Sequence, residues 1–149
     1  MITDTLKALF TRDLTKLKTE VQAYNNEANM WLVEKDISNT AGNLCLHLIG
    51  NLNWFVGAPY ANTGYVRHRE LEFSTKNTPR AELLAEIDNT LAVVLTALDN
   101  ITEDQLASEY PHRVFKEPMT TEHFLMHLST HLAYHLGQIN YHRRLLDNR

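Results

Sequence analysis

Residues 120–146 read TTEHFLMHLSTHLAYHLGQINYHRRLL, and this stretch predicts a long amphipathic helix. Apolar side chains recur in it at the three- and four-residue steps of one helix face; they are Leu125, Leu128, Leu132, Leu136 and Ile139. Thr120 or Thr121 can cap the start of the helix, and two arginines in the last turn suit the negative end of its dipole. We therefore predict a helix from Thr120 or Thr121 to about Leu146.

Three further segments carry the same helical spacing, and no segment alternates convincingly like a β-strand. They run from Thr3 or Asp4 to about Tyr24, from about Ala41 to Val56, and from Thr78-Pro79 to about Asn100. Gly57-Ala58-Pro59 is expected to end the second helix, and the polar residues 60–77 to form a long connection. Four long helices predict an all-α protein, a four-helix bundle, in one domain over residues 1–149.

Composition limits the range of functions. The chain has 149 residues and a formal net charge of −4, with lysines and arginines scattered, so we expect no nucleic-acid partner. The single cysteine, Cys45, cannot form an intramolecular disulfide, which favours a reducing compartment. The N-terminal residues are charged throughout where a signal peptide needs an apolar run, and no apolar stretch reaches the roughly 20 residues of a membrane span. A cytoplasmic protein without a membrane partner is expected.

Histidine spacing gives the strongest indication of function. His123, His127, His131 and His135 follow one another at four-residue steps in the last predicted helix. Each step rotates by about 40°, so two neighbouring imidazoles can share a metal ion but four cannot. Relative to the apolar stripe, His135 and His131 point inward, and burying them without partners would cost roughly a few kcal/mol. They are the candidate ligands, and a histidine pair on a solvated helix face is the alternative on spacing alone. His127 is a candidate to orient a ligand or substrate from just outside the ligand set.

A third ligand must come from another helix, and His47 is the candidate because it interrupts the apolar stretch Leu44–Leu48. A hydrogen-bonded structural role is the alternative for such a lone histidine. Cys45 lies roughly 160° around the helix from His47 and is expected to be a packed thiol. The charged run 67–70 is predicted to be a solvated loop, with contact to an anionic substrate as the alternative. The histidines predicted to lie at the surface are His68, His112, His123 and His142.

The sequence resembles the DinB/YfiT-like superfamily at two motifs. One is His131-Leu-Ala-Tyr-His135-Leu-Gly137-Gln138, and the other is Leu44-Cys-Leu-His47-Leu-Ile-Gly-Asn51-Leu. The resemblance covers essentially the whole chain. It implies that His47, His131 and His135 bind a divalent ion, usually zinc or nickel. It also implies a four-helix bundle of up-down-down-up connectivity, often a homodimer.

The resemblance further implies metal-dependent chemistry on a small-molecule substrate. Characterised relatives include bacillithiol- and mycothiol-dependent transferases and isomerases, so a low-molecular-weight thiol is an expected cofactor, with hydrolysis as the second reaction type. Three protein ligands would leave a coordination position for a water or a thiol. No carboxylate at helical spacing from His131 or His135 offers an obvious general base. The alternative function is a non-catalytic homodimeric bundle whose metal site is structural or vestigial.

Overall fold

The computed structural model describes residues 1–148, and this part of the chain is all-α, as predicted. Its α-helices are α1 (Ile2–Ala23), α2 (Ala41–Leu52), α3 (Ala58–Ala61), α4 (Arg69–Ser74), α5 (Arg80–Asn100), α6 (Glu103–Ala107) and α7 (Thr121–Leu146). A 3-10 turn spans Glu27–Trp31 and a π-helical turn spans Asn53–Gly57. Within the described residues, an isolated bridge between Glu109 and Thr120 accounts for the β-type pairing.

The core forms where the apolar faces of the long helices meet. Helix α1 packs against α5 and α7, and α2 packs against α4, α5 and α7. The apolar stripe predicted for α7 is buried in full: Leu125, Leu128, Leu132, Leu136 and Ile139. The predicted phase of this helix is therefore confirmed. Among residues 1–148, no helix combines the length and apolarity needed to cross a membrane.

Helix α2 does not end at Gly57-Ala58-Pro59 as predicted. The chain passes through the π-helical turn and continues as α3. The side-chain amide of Asn53 donates to the carbonyl oxygen of Ile49 at 2.8 Å and to Oγ1 of Thr90 at 3.0 Å, which ties the widened turn to α5. Pro59 has no N–H group to donate to the carbonyl oxygen of Phe55, and this oxygen accepts from the hydroxyl of Tyr110 at 2.6 Å instead.

The predicted connection at residues 60–77 contains the short helix α4. Six residues are too few to show a helical period in the sequence, so the pattern alone could not reveal it. The helix is held by α2: the side-chain amide of Asn43 donates to the carbonyl oxygens of Glu72 at 2.9 Å and of Thr75 at 2.7 Å. These bonds satisfy carbonyl groups that the end of a helix otherwise leaves unpaired. As a result, α4 presents Glu72 to α2.

The prediction that His142 lies at the surface is wrong. This side chain is only 4% exposed. Its Nδ1 accepts a hydrogen bond from the hydroxyl of Tyr24 at 2.7 Å, and its Nε2 donates to the carbonyl oxygen of Leu32 at 2.9 Å. Both partners come from segments far away in the chain, so the helical pattern of α7 gives no sign of them. The other histidines predicted to be at the surface are exposed: His68, His112 and His123.

Candidate metal centre

Three histidines from two helices converge on one point. His47 comes from α2, and His131 and His135 come from α7; one nitrogen of each lies within 4.8 Å of the other two. The ring centroids of His47 and His131 are 5.1 Å apart, and those of His131 and His135 are 4.6 Å apart. Nε2 of His47 is 3.2 Å from Nε2 of His131. Zinc–nitrogen bonds of 2.0–2.1 Å place two ligands of a tetrahedral ion about 3.3 Å apart, so this separation fits one shared ion.

Two of the three imidazoles are oriented by hydrogen bonds at Nδ1. Nδ1 of His47 lies 3.0 Å from Oε1 of Glu72, and Nδ1 of His135 lies 2.7 Å from Oε1 of Gln138. Carboxylate and amide oxygens only accept, so each Nδ1 carries the proton. In the neutral ring, the lone pair is then on Nε2. Hydrogen bonds of this kind fix the tautomer and ring orientation of metal-binding histidines, so the donor chemistry fits a divalent ion.

The Glu72 carboxylate is itself held on several sides. Arg67 donates from Nε to Oε2 at 2.9 Å and from Nη2 to Oε1 at 3.0 Å, and Glu72 is only 6% exposed. Burial by itself would raise the pKa of Glu72, but the hydrogen bonds from His47 and Arg67 outweigh burial and lower it. Glu72 is therefore an anion, and its charge is balanced by the guanidinium of Arg67.

Gly50 makes room for this carboxylate. A Cβ atom at Gly50 would lie 1.9 Å from Oε2 of Glu72, far inside any real contact distance. Gly50 is three residues after His47, on nearly the same face of α2. A side chain there would push Glu72 away from the imidazole that it orients.

Burial also sets the protonation of the two α7 histidines. It lowers the pKa of His131 to about 4, with a further contribution from neighbouring His135, and it lowers the pKa of His135. Both rings are therefore neutral at pH 7, the form in which imidazole binds a metal. His131 differs from the other two in one respect, because its Nδ1 is buried and has no hydrogen-bond partner.

Residues 4–149 match the protein family described as "Protein of unknown function (DUF1572)". The chain belongs to this family. The DUF1572 chain is also similar to a solved structure described as "Crystal structure of the conserved protein of locus from Enterococcus faecalis". The TM-score is 0.78 and the sequence identity 18%, with 100% of this chain and 99% of that chain covered. This likeness shows a shared fold. No functionally curated protein matches the sequence.

The structure places His127 beside the centre of this DUF1572 protein but outside the three-histidine set. Its ring centroid is 6.3 Å from that of His131, and it packs against Phe115 at 4.9 Å and Phe124 at 6.1 Å. Burial lowers the pKa of His127, and nearby His123 lowers it further, so the ring is neutral at pH 7. Among the described residues, the His127 side chain makes no hydrogen bond to any of the three candidate ligands, so it borders the centre as a neutral imidazole.

Cys45 plays no part in this centre. The residue is buried, and burial raises the pKa of its thiol to about 12. A thiol in that state is a poor nucleophile and a poor metal ligand, because both roles need the thiolate. The prediction of a packed thiol agrees with this environment.

The sequence did not indicate three residues of the centre: Glu72, Arg67 and Gly50. Glu72 is 25 positions after His47, so helical spacing could not connect them. Arg67 lies in the run predicted to be a solvated loop, and for this residue that prediction is wrong, since its side chain is only 11% exposed. The three residues that follow it, 68–70, are exposed as predicted. One signal was available, namely a glycine inside the helix three residues after a candidate ligand.

Proposed function

We propose that this chain is a divalent-metal-dependent enzyme of the DinB/YfiT-like superfamily that acts on a small molecule by thiol-dependent S-transfer or by hydrolysis. The observation that carries the proposal is the convergence of His47, His131 and His135, whose nitrogens lie within 4.8 Å of one another. The proposal includes a four-helix bundle of α1, α2, α5 and α7 with up-down-down-up connectivity. The shared fold with the Enterococcus faecalis protein is compatible with it.

We propose zinc or nickel as the ion, as the resemblance implies, and imidazole nitrogens suit both. When bound, such an ion would act as a Lewis acid and lower the pKa of a water or low-molecular-weight thiol in its remaining coordination position. In the proposed reaction, Glu72 orients His47 and is not the base, because it is buried and the hydrogen bonds from His47 and Arg67 lower its pKa. His127 is the neutral imidazole nearest to the centre, and we propose it as the group that receives or positions the proton.

The competing hypothesis is a non-catalytic homodimeric bundle with a structural or vestigial metal site. Structural zinc sites are normally closed by four protein ligands. Within the described residues, the candidate group comprises three histidines, of which His131 and His135 are only half-buried. A half-buried set of three ligands would leave a coordination position free and accessible, which is typical of catalysis, and this arrangement favours the enzyme.

Metal analysis tests the site. Protein purified without added metal should contain close to one equivalent of zinc or nickel, and His135→Ala should lose it, because two ligands on separate helices hold an ion weakly. His123→Ala is the matched control: it is a histidine of the same helix with an exposed side chain, and its metal content should be unchanged. Unchanged metal in His135→Ala, or an equal loss in His123→Ala, would refute the ligand assignment.

Turnover separates the two function classes. Low-molecular-weight thiols should be screened against electrophilic substrates, and hydrolysable esters and amides should be screened without a thiol. The enzyme hypothesis predicts a substrate-dependent rate that disappears on chelation and returns when the ion is restored. A protein that binds its ion stoichiometrically and yet turns over no substrate of either class would support the structural alternative.

We also propose a homodimer located in the cytoplasm. Three large side chains along one side of α7 support the dimer, because each is more than 60% exposed: Tyr134, Tyr141 and Leu145. Exposed apolar surface of this kind often marks an interface. Light scattering coupled to size-exclusion chromatography tests the dimer, and a monomer at micromolar concentration would contradict it.

A further inference from the structure

Two buried polar atoms near the centre have no hydrogen-bond partner. They are Nδ1 of His131 and Oδ1 of Asn51, and Asn51 as a whole is only 6% exposed. Buried polar atoms are almost always hydrogen-bonded, so an unpaired one needs an explanation. Neither atom is accounted for by the fold or by the three-histidine set.

Two contacts with α7, one from α2 and one from the π-helical turn that follows it, indicate that these two atoms lie at a similar level along the helix pair. His47 meets His131, and Phe55 meets Phe124 at a ring-centroid distance of 5.2 Å, so the two helices run antiparallel here. Asn51 is four residues from both His47 and Phe55, which puts it between these two contacts. Helical side chains lean toward the N-terminus of their helix, so the His131 ring leans toward Phe124 and hence toward the level of Asn51.

Metal binding would give the two atoms complementary roles. A neutral imidazole that binds through Nε2 must carry its proton on Nδ1. For His47 and His135 an acceptor for that proton is in place, supplied by Glu72 and Gln138. For His131 no acceptor is in place, and a buried N–H group without an acceptor is destabilising. The amide oxygen of Asn51 can only accept, so it offers what His131 lacks.

We infer that Asn51 is a positioning residue for the metal centre, whose Oδ1 accepts the Nδ1 proton of His131, directly or through one buried water, when the ion is bound. The inference rests on the proposed metal function. It completes a pattern in which each of the three imidazoles is oriented by an oxygen from a different part of the chain. It also explains why the amide of Asn51 is buried one helical turn from His47, although its oxygen makes no other hydrogen bond.

The test uses zinc as the probe and three variants of the full chain. Asn51→Leu removes the acceptor and keeps the size, and Asn51→Asp restores an oxygen at the same position. Gln138→Leu is the matched control, because it removes the corresponding acceptor from His135 at an exposed site. Zinc affinity is measured by competition with a chelator, and imidazole Nδ1–H signals are followed by nitrogen-15 NMR of the zinc form.

We expect Asn51→Leu to weaken zinc binding about 10–100-fold, the usual effect of losing an outer-shell partner. It should shift the Nδ1–H signal of His131 alone, whereas Gln138→Leu should shift that of His135 alone. Asn51→Asp should recover most of the affinity and move the His131 signal downfield. This isosteric variant keeps the test decisive if Asn51→Leu does not fold.

Two results would overturn the inference while leaving the metal site intact. One is wild-type zinc affinity in Asn51→Leu with an unchanged His131 signal. The other is a loss of affinity that Asn51→Asp does not rescue and that leaves the His131 signal in place, which would make Asn51 a purely structural residue. Failure of the wild-type protein to bind zinc or nickel is a different outcome, since it would refute the proposed function and remove the basis of the inference.

Discussion

Replacing Gly50 by alanine should damage the metal centre without touching any ligand. A Cβ atom there would lie 1.9 Å from Oε2 and 2.7 Å from Cδ of Glu72. Ordinary contact begins near 3.4 Å, so the carboxylate oxygen must retreat by about 1.5 Å, the difference between 3.4 and 1.9 Å. The end of a glutamate usually moves cheaply, but here Arg67 and His47 hold it at distances of 2.9–3.0 Å. A shift of that size would break at least one of these hydrogen bonds.

The expected consequence has two measurable parts. Loss of the partner of His47 should raise the zinc Kd about 10–100-fold, or about 1.4–2.7 kcal/mol. The melting temperature of the metal-free protein should also fall, because disrupting charge-assisted hydrogen bonds at a buried carboxylate costs about 1–3 kcal/mol. That loss exceeds the roughly 0.5–1 kcal/mol that alanine normally gains over glycine inside a helix. Chelator competition and differential scanning calorimetry measure the two quantities.

Gly137→Ala provides the matched control. Gly137 also lies inside a long helix, next to Gln138, but a Cβ atom there would meet nothing within 4 Å. This variant should gain roughly 0.5–1 kcal/mol of stability and keep its zinc affinity. Wild-type zinc affinity together with a raised melting temperature in Gly50→Ala would refute the argument that Glu72 orients His47.

Two further predictions concern titratable groups. The metal-free protein should lose thermal stability as the pH falls from about 6.5 to about 4, because burial lowers the pKa of His131 from 6.5 to about 4. Between those pH values the unfolded chain binds the proton and the native state does not, so acid favours unfolding. The melting temperature is measured with a chelator present. A value that stays constant or rises on acidification would contradict this prediction. Burial raises the pKa of Cys45 to about 12, so its thiol should react very slowly with a disulfide reagent at pH 8 in the native protein and quickly in urea. Rapid native labelling would show that the thiol is accessible.

The long helices could be predicted from the sequence, and the histidine pair His131 and His135 on α7 could be predicted for the same physical reason. Both depend on contacts within one helix, where spacing along the chain fixes direction in space. The wheel of α7 places His131 and His135 near the apolar stripe, and the structure brings both to the interface with α2. His47 could be predicted less directly, because only its interruption of an apolar segment marked it.

The remainder of the centre depends on contacts between distant segments. Glu72 reaches His47 only because α4 folds back onto α2, and a six-residue helix has no period to detect. The charge of Arg67 was misleading, because charged runs are usually solvated. Residues 68–70 of this run are exposed, whereas Arg67 is paired with the buried carboxylate of Glu72. The contacts of Gly50 and Gly137 could not be predicted either, because they depend on segments distant in the chain. Each glycine stands in one of the two quoted motifs, and the sequence does not show that the close approach to Glu72 occurs at Gly50 while Gly137 has open space.

The charge balance of the centre favours one branch of the proposed chemistry. The three candidate ligands are histidines, which bind a metal as uncharged imidazoles, and the nearest carboxylate, Glu72, is already paired with Arg67. A divalent ion held by this set would keep most of its positive charge, in contrast to a site closed by thiolates or carboxylates. Such an ion attracts an anionic fourth partner, and a thiol gives up its proton more readily than water, with an unperturbed pKa near 8.5 against 15.7. We therefore expect a thiolate to compete well for the free position near neutral pH, which places S-transfer ahead of hydrolysis among the reactions to be tested.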